Sequence, residues 1–129
     1  MDTSVWIDYM RDIENEVTGR FDEIQERGLP FGITALIHQE VLQGAASPAK
    51  FDYLVDFMNT QDFYHPEDPV ESYKEAARIY FDCRRAGVTI RSAIDCLIAR
   101  IAIENDLFLL HNDRDFEYMA EIEPELKLA

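Results

Sequence analysis

Short apolar runs alternate with longer amphipathic stretches along this chain, and this alternation restricts the fold more than any other feature. Apolar side chains at helical spacing, bounded by capping and breaking residues, predict helices near residues 4–10, 13–28, 34–44, 47–58, 70–86 and 92–105. Short apolar runs predict strands at residues 29–33, 62–65 and 107–110. Strands separated by helices pair in parallel, so the order predicts an α/β fold in which helices cover both faces of a parallel sheet.

The last apolar run, residues 107–110, is continuous, as expected of a strand that is buried on both faces. Ligand sites of parallel α/β sheets lie at the carboxyl ends of the strands. Asn112, Asp113 and Asp115 follow this run directly, and Asp2 stands just before the first predicted helix. We therefore expect these acids to lie where such a sheet places its site.

Two further acids interrupt apolar stripes of predicted helices. Glu40 fills the one gap in the stripe of the helix at residues 34–44. Asp95 lies between Ile94 and Ile98, one turn after Arg91, so it also points inward. Each acid taken alone is equally well explained as a solvent-edge or helix-terminal residue.

Four carboxylates that converge in a partly buried place repel one another and lose hydration, so the arrangement requires a bound cation or persistent protonation. Oxygen ligands without His or Cys select a hard ion, Mg²⁺ or Mn²⁺. Such an ion neutralises phosphate oxygens and lowers the pKa of a bound water. Metal-dependent hydrolysis of a phosphodiester is thus the leading chemistry.

The charge balance argues against a surface that binds nucleic acid by overall attraction. The 129 residues carry 26 acids and 12 Lys or Arg, a formal charge of -14. Half of the basic residues fall in one short segment, as Lys74, Arg78, Arg84, Arg85, Arg91 and Arg100. Arg91, one helical turn from Asp95, is predicted to contact a phosphate or to pair with that acid. Lys74 and Arg78 are equally well explained as solvated charges paired with neighbouring acids.

Length and composition indicate one cytoplasmic domain over residues 1–129. The longest stretch without charge is twelve residues, shorter than the roughly 18 that cross a bilayer. No secretory signal is legible at the start of the sequence. Cys83 and Cys96 lack the spacing of a zinc site, which predicts free buried thiols in a reducing compartment.

Several segments, in this order, resemble the PIN domain family, and in particular its VapC-type toxins. The segments are DTSVWIDY at residues 2–9, the inward Glu40, TIRSAIDCLIA at 89–99 and LHNDRDF at 110–116. The resemblance covers essentially the whole chain. It implies a sheet of four to five parallel strands in the order 3-2-1-4-5. Only Met1 precedes Asp2 where the family has several apolar residues, so either the first strand is nearly absent or the start has been set late.

The resemblance also implies a site and an activity. The residues it places there are the metal ligands Asp2, Glu40, Asp95, Asp113 and Asp115 and the supporting residues Ser4, Arg91 and Asn112. The first four of these acids would hold Mg²⁺ or Mn²⁺ and carry catalysis. The implied activity is that of an endoribonuclease toxin of a type II toxin–antitoxin system, which cleaves loops of tRNA or rRNA with metal-activated water. The implied partners are a VapB-like antitoxin and a second copy of the chain.

Four alternatives differ from this reading. A PIN-like domain that no longer cuts could serve as a binding module in a regulatory complex, and a PIN nuclease could act on another RNA or on DNA. The pair Asp113 and Asp115 after a strand is also typical of haloacid-dehalogenase-like phosphatases, but only fourteen residues follow Asp115 here. A response-receiver fold requires a Lys on a late strand, and Lys127 comes after the candidate acids in a Glu-rich tail.

Overall fold

The computed structural model describes residues 14–29 and 31–129. These residues belong to two compact units, Met1–Tyr64 and His65–Ala129. The predicted first helix, the predicted short first strand, Asp2 and Ser4 lie outside the described residues. Within the described residues, no helix is long and apolar enough to cross a membrane.

The first helix described, α1, spans Glu16–Glu26 and is closed at both ends by local hydrogen bonds. Asn15 and Thr18 form a capping box, in which each side-chain oxygen accepts the other residue's backbone N–H at 2.9 Å. At the other end Gly28 takes φ +64°, and the Leu29 N–H donates to the Ile24 carbonyl at 3.0 Å. This is a Schellman termination, which favours glycine at the left-handed position.

The first unit contains two parallel strands, and two helices lie between them in the sequence. β1 spans Gly32–Thr34 and β2 spans Asp62–Tyr64, with Gly32 opposite Asp62. Between them lie α2, Ala35–Gln43, and α3, Pro48–Met58, whose N-caps are Thr34 and Ser47 as predicted. The predicted strand at 29–33 is displaced, because Leu29 belongs to the end of α1 and is 48% exposed.

Gly32 of β1 leaves no room for a side chain against β2. A Cβ at this position would lie 2.6 Å from the Asp62 carbonyl oxygen and 2.5 Å from Tyr64 Cε2. We expect Gly32→Ala to destabilise the protein by about 1–3 kcal/mol because the strands must separate. Gly19→Ala is the matched control. Its Cβ meets nothing within 4 Å in mid-helix, so it should stabilise by about 0.5–1 kcal/mol. Thermal unfolding of the two variants checks the prediction, and equal midpoints would contradict it.

The second unit is built on two packed helices. α4 spans Glu71–Arg85 and α5 spans Ala93–Glu104, close to the predicted ranges, and Gly87 with φ +87° follows α4. β3, Phe108–Leu109, follows α5; then come α6, Arg114–Ile122, and β4, Lys127–Leu128. α4 packs on both α5 and α6. The buried apolar side chains of this unit include Ile79, Cys83, Leu97, Ile101, Phe116 and Met119.

β3 and β4 pair in parallel, with Phe108 opposite Lys127 and Leu109 opposite Leu128. The described strands thus form two parallel two-stranded sheets that alternate with helices, and this confirms the predicted α/β class. The expectation of a fully buried strand at 107–110 is wrong. Phe108 is 66% exposed and its ring faces the Lys127 ammonium, so one side of this strand meets solvent.

Glu123, the C-cap of α6, lies beside Asp82 of α4. Burial, and then the hydrogen bond with Asp82, raise the pKa of Glu123. Ionised Glu123 therefore lowers the free energy of unfolding at pH values above its raised folded-state pKa. This loss of stability disappears as the pH falls toward the pKa of glutamate in the unfolded chain, about 4.3.

We expect Glu123→Gln to raise the unfolding midpoint at pH 7.5, because a neutral amide avoids the cost of placing a charged carboxylate in this half-buried position beside Asp82. The advantage should disappear below about pH 4, where the wild-type residue is protonated in both states. Thermal unfolding across this range tests the sign. Glu121→Gln, an exposed change of equal charge on the same helix, is the control, and an equal gain from both variants would refute the role of burial.

Candidate metal centre

The first turn of α5 carries one of the predicted site acids. Ser92 is its N-cap, and its hydroxyl accepts the Ile94 N–H at 3.2 Å. Asp95 follows in the first turn and is half-buried. Ile94 is 42% exposed, so the inward face predicted for Ile94 and Asp95 together is wrong for Ile94. The reason is positional, since the buried stripe of α5 begins only at Cys96.

The start of α6 carries two more acids. Asp113 is the N-cap, and its Oδ1 accepts the Asp115 N–H at 2.9 Å. Asp115 lies in the first turn and is only 5% exposed, beside the fully buried Phe116. His111 is a loop residue, as predicted, and its Nδ1 accepts the Asp113 N–H at 3.2 Å. The carboxylates thus sit at a helix N-terminus, whose dipole favours negative charge.

The acids at the starts of α5 and α6 meet in one cluster. One carboxylate oxygen from each of Asp95, Asp113 and Asp115 lies within 4.8 Å of the other two. All three donors are hard oxygens, and no His or Cys joins this group in the part of the chain that the structure describes. This donor set fits a hard divalent cation such as Mg²⁺ or Mn²⁺.

Arg91 spans two of the clustered acids. Its Nη2 donates to Asp113 Oδ1 at 2.6 Å, and its Nε donates to Asp115 Oδ2 at 3.2 Å. The hydrogen bond to Asp115, and then the charge of Asp113, raise the pKa of Arg91. The predicted placement of Arg91 one helical turn from Asp95 is wrong, because α5 begins only at Ala93. Its ion pairs are with the acids of α6.

The structure brings together four of the predicted site residues, Asp95, Asp113, Asp115 and Arg91. Asn112 is exposed in the adjoining loop, and Glu40 is half-buried on α2 of the first unit. Asp2 and Ser4 lie outside the described residues. Asp115, which the family resemblance gives as a fifth acid, is the most buried of the three clustered acids, at 5% exposed. Its signal was the apolar Phe116 next to it, which indicates burial.

Three of the other basic residues in the 74–100 segment have an acidic partner on the same helix, and Arg84 and Arg85 lie over the rings of Tyr80 and Phe81. Lys74 pairs with Glu71 at 3.4 Å and Arg78 with Asp82 at 2.9 Å, both on the exposed face of α4. Both residues are thus solvated charges paired with neighbouring acids, and such exposed pairs contribute little to stability. Arg100 lies 3.6 Å from Glu104.

Glu104 ties α5 to the start of α4. Its side chain is 3% exposed, and its Oε2 accepts the Ser72 hydroxyl at 2.8 Å and the Glu67 N–H at 3.3 Å. Arg100 is therefore a structural partner of a buried acid. Lys127 pairs with Asp106, which gives no support to a response-receiver site.

An α/β chain with three carboxylates clustered at the starts of two helices is compatible with a site for a divalent cation. Comparison with known families matches residues 1–122 to the PIN domain. The chain belongs to the PIN domain family, and the predicted membership is confirmed.

Curated relatives agree with the family match. The chain is 33% identical to the VapC ribonuclease Mb1587 of Mycobacterium bovis, over 95% of this chain and 91% of the relative. The same identity and coverage hold for Ribonuclease VapC11 of Mycobacterium tuberculosis. The predicted similarity to VapC-type ribonucleases is thereby confirmed.

Proposed function

We propose that this protein is a metal-dependent endoribonuclease, the toxin of a type II toxin–antitoxin pair. The observation that carries the proposal is the cluster of Asp95, Asp113 and Asp115, with one oxygen from each within 4.8 Å of the others. The likeness to relatives named VapC ribonuclease supports RNA as the substrate class. We further propose loops of tRNA or rRNA as targets.

The cation proposed for this site is Mg²⁺ or Mn²⁺, held by Asp95, Asp113 and Asp115. Asp2 and Glu40 are proposed as additional ligands from the family pattern. When bound, such an ion lowers the pKa of a water and neutralises phosphate oxygens.

The protein's own residues prepare this site in three ways. Asp113 holds its carboxylate at the start of α6 by capping the helix. Asp115 is held by two donors of Arg91, the backbone N–H and Nε. Arg91 offsets part of the negative charge that three neighbouring carboxylates concentrate there. These contacts keep the carboxylates in fixed positions before substrate arrives, which lowers the cost of organising the site.

The remaining features of the proposal follow the family. The two compact units are proposed to form one PIN domain, since the family match runs through both. A sheet in the order 3-2-1-4-5, a homodimer in the cytoplasm and a VapB-like antitoxin are proposed with it. An arginine of the antitoxin would suit the acidic cluster because its planar fork pairs two carboxylate oxygens at once.

Cleavage of a labelled mixture of total tRNA and rRNA by antitoxin-free protein tests the proposal. We expect discrete fragments with Mn²⁺ or Mg²⁺ and none with EDTA. Fragments that persist undiminished in EDTA would contradict the metal requirement. Protein shown to be folded and loaded with Mn²⁺ that cuts neither RNA would instead favour the non-cutting binding module, and cleavage of DNA alone would change the substrate class.

A further inference from the structure

We propose that Arg91 is a positioning residue, which orients the Asp113 and Asp115 carboxylates so that one oxygen of each is directed to the cation. This inference rests on the proposed function, because it concerns the same metal centre. This role, orientation of the carboxylates, differs from neutralising their charge and from binding a phosphate of the substrate.

The hydrogen bonds of Arg91 engage only one oxygen of each of the two carboxylates. The Arg91 backbone N–H at 3.0 Å and Nε at 3.2 Å both donate to Asp115 Oδ2. Nη2 donates to Asp113 Oδ1 at 2.6 Å, and the Asp115 N–H donates to this same oxygen. Within residues 14–29 and 31–129, no hydrogen bond occupies Asp115 Oδ1 or Asp113 Oδ2. Each carboxylate thus keeps one oxygen for a further ligand.

Arg91 also connects two segments that are distant in the sequence. It immediately precedes Ser92, the N-cap of the helix that carries Asp95, and it binds the two acids at the start of α6. The contacts cross 22 and 24 residues of sequence. Hydrogen bonds to metal-binding carboxylates of this kind fix ligand orientation and tune affinity for the ion.

The exposure of Arg91 argues against a role through charge alone. Its side chain is 72% exposed, so water screens its Coulomb attraction to the acids. What the side chain supplies is the planar fork, whose Nε and Nη2 reach two different carboxylates. A lysine keeps the charge but is a point donor that cannot reproduce this geometry. The comparison of Arg91→Lys with wild type therefore separates orientation from charge.

The experiment measures Mn²⁺ affinity by isothermal titration calorimetry, together with kcat and KM on an RNA that the wild type cleaves. We expect Arg91→Lys to weaken Mn²⁺ binding by about 10-fold and to lower kcat by about 10-fold or more. KM for RNA should stay within about 2-fold, since ground-state binding of RNA is unchanged. Arg91→Met should be at least as impaired in both respects.

Arg78→Lys and Arg78→Met are the matched controls, because Arg78 forms an exposed pair with Asp82 outside the cluster. Both should bind Mn²⁺ and cleave RNA like wild type. The exposed position of Arg91 means that its replacement opens no cavity. The rise of the unfolding midpoint on adding Mn²⁺ gives a second readout, and it should be smaller for Arg91→Lys than for wild type.

Three outcomes overturn the inference in distinguishable ways. Wild-type affinity and kcat in Arg91→Lys would reduce the residue to a counter-charge. A raised KM with unchanged Mn²⁺ affinity would make it a phosphate contact. A wild-type protein that neither binds Mn²⁺ nor cleaves RNA would overturn the proposed function itself, whereas failure confined to the Arg91 variants leaves that function standing.

Discussion

Asp95→Asn is expected to lower metal-dependent RNA cleavage by at least about 100-fold while the protein stays folded. Loss of an outer hydrogen-bond partner at a metal site already costs about 10- to 100-fold, so loss of a proposed ligand costs at least as much. The amide replaces one of the three clustered anionic carboxylates by a neutral group that binds a hard cation more weakly. Without metal, the variant should be as stable as wild type or more stable, because like-charge repulsion is reduced.

Single-turnover cleavage and thermal unfolding, each with Mn²⁺ and with EDTA, measure both parts of this expectation. Mn²⁺ should raise the midpoint of the wild type and leave that of Asp95→Asn nearly unchanged. Asp106→Asn is the control, since Asp106 is exposed and its φ of +53° is one that asparagine tolerates. Wild-type cleavage by Asp95→Asn in Mn²⁺ would refute the site.

Phe116→Ala is expected to destabilise the protein by about 3–5 kcal/mol, the usual cost of a buried aromatic side chain. Phe116 is 0% exposed and follows Asp115 on the first turn of α6. Its ring centroid lies 5.5 Å from that of His111, so truncation also loosens the loop that leads into the acidic segment. The variant should therefore lose both stability and the native arrangement of the acidic segment.

Chemical denaturation followed by circular dichroism measures the stability loss. Tyr118→Ala, two residues further along α6 and 39% exposed, is the matched control and should cost much less. If Phe116→Ala lost no more stability than this control, the packing described for α6 would be incorrect.

The helices that the sequence predicts best are those whose ends carry chemical signals. Thr34 and Ser47 define the starts of α2 and α3, and Gly28 defines the end of α1. Strand limits are harder to predict because a β-prone residue can belong to a helix termination, as Leu29 does. Pairing partners decide where a strand begins, and these lie far away in the sequence.

The carboxyl-terminal elements α6 and β4 were not predicted, although they are regular in the structure. The segment is rich in acids, and of its apolar side chains only Phe116, Met119 and Leu126 are buried. So few apolar positions give a weak periodic signal. Tertiary contacts with α4 and β3 stabilise what the local sequence does not indicate.

The clustering of Asp95, Asp113 and Asp115 could be expected from the sequence, because each acid stands where an apolar or solvent-exposed pattern would not place it. An acid within an apolar stripe, as at Asp95, and acids after an apolar run, as at Asp113, are informative without structure. The contacts of Arg91 were not predictable, since helical spacing placed it beside Asp95 and only the fold places it against α6. Asp2 and Glu40 remain predictions from the family pattern.

The two cysteines give this protein an internal reporter of conformational opening. Cys83 and Cys96 are 0% and 1% exposed, and burial raises the pKa of both, that of Cys96 to about 12. At neutral pH almost no thiolate exists in the closed state, so alkylation must wait for an opening event. Cys96 directly follows Asp95 in α5. The rate at which Cys96 is alkylated, followed by mass spectrometry, therefore measures the transient unfolding of the helix that carries the proposed ligand Asp95.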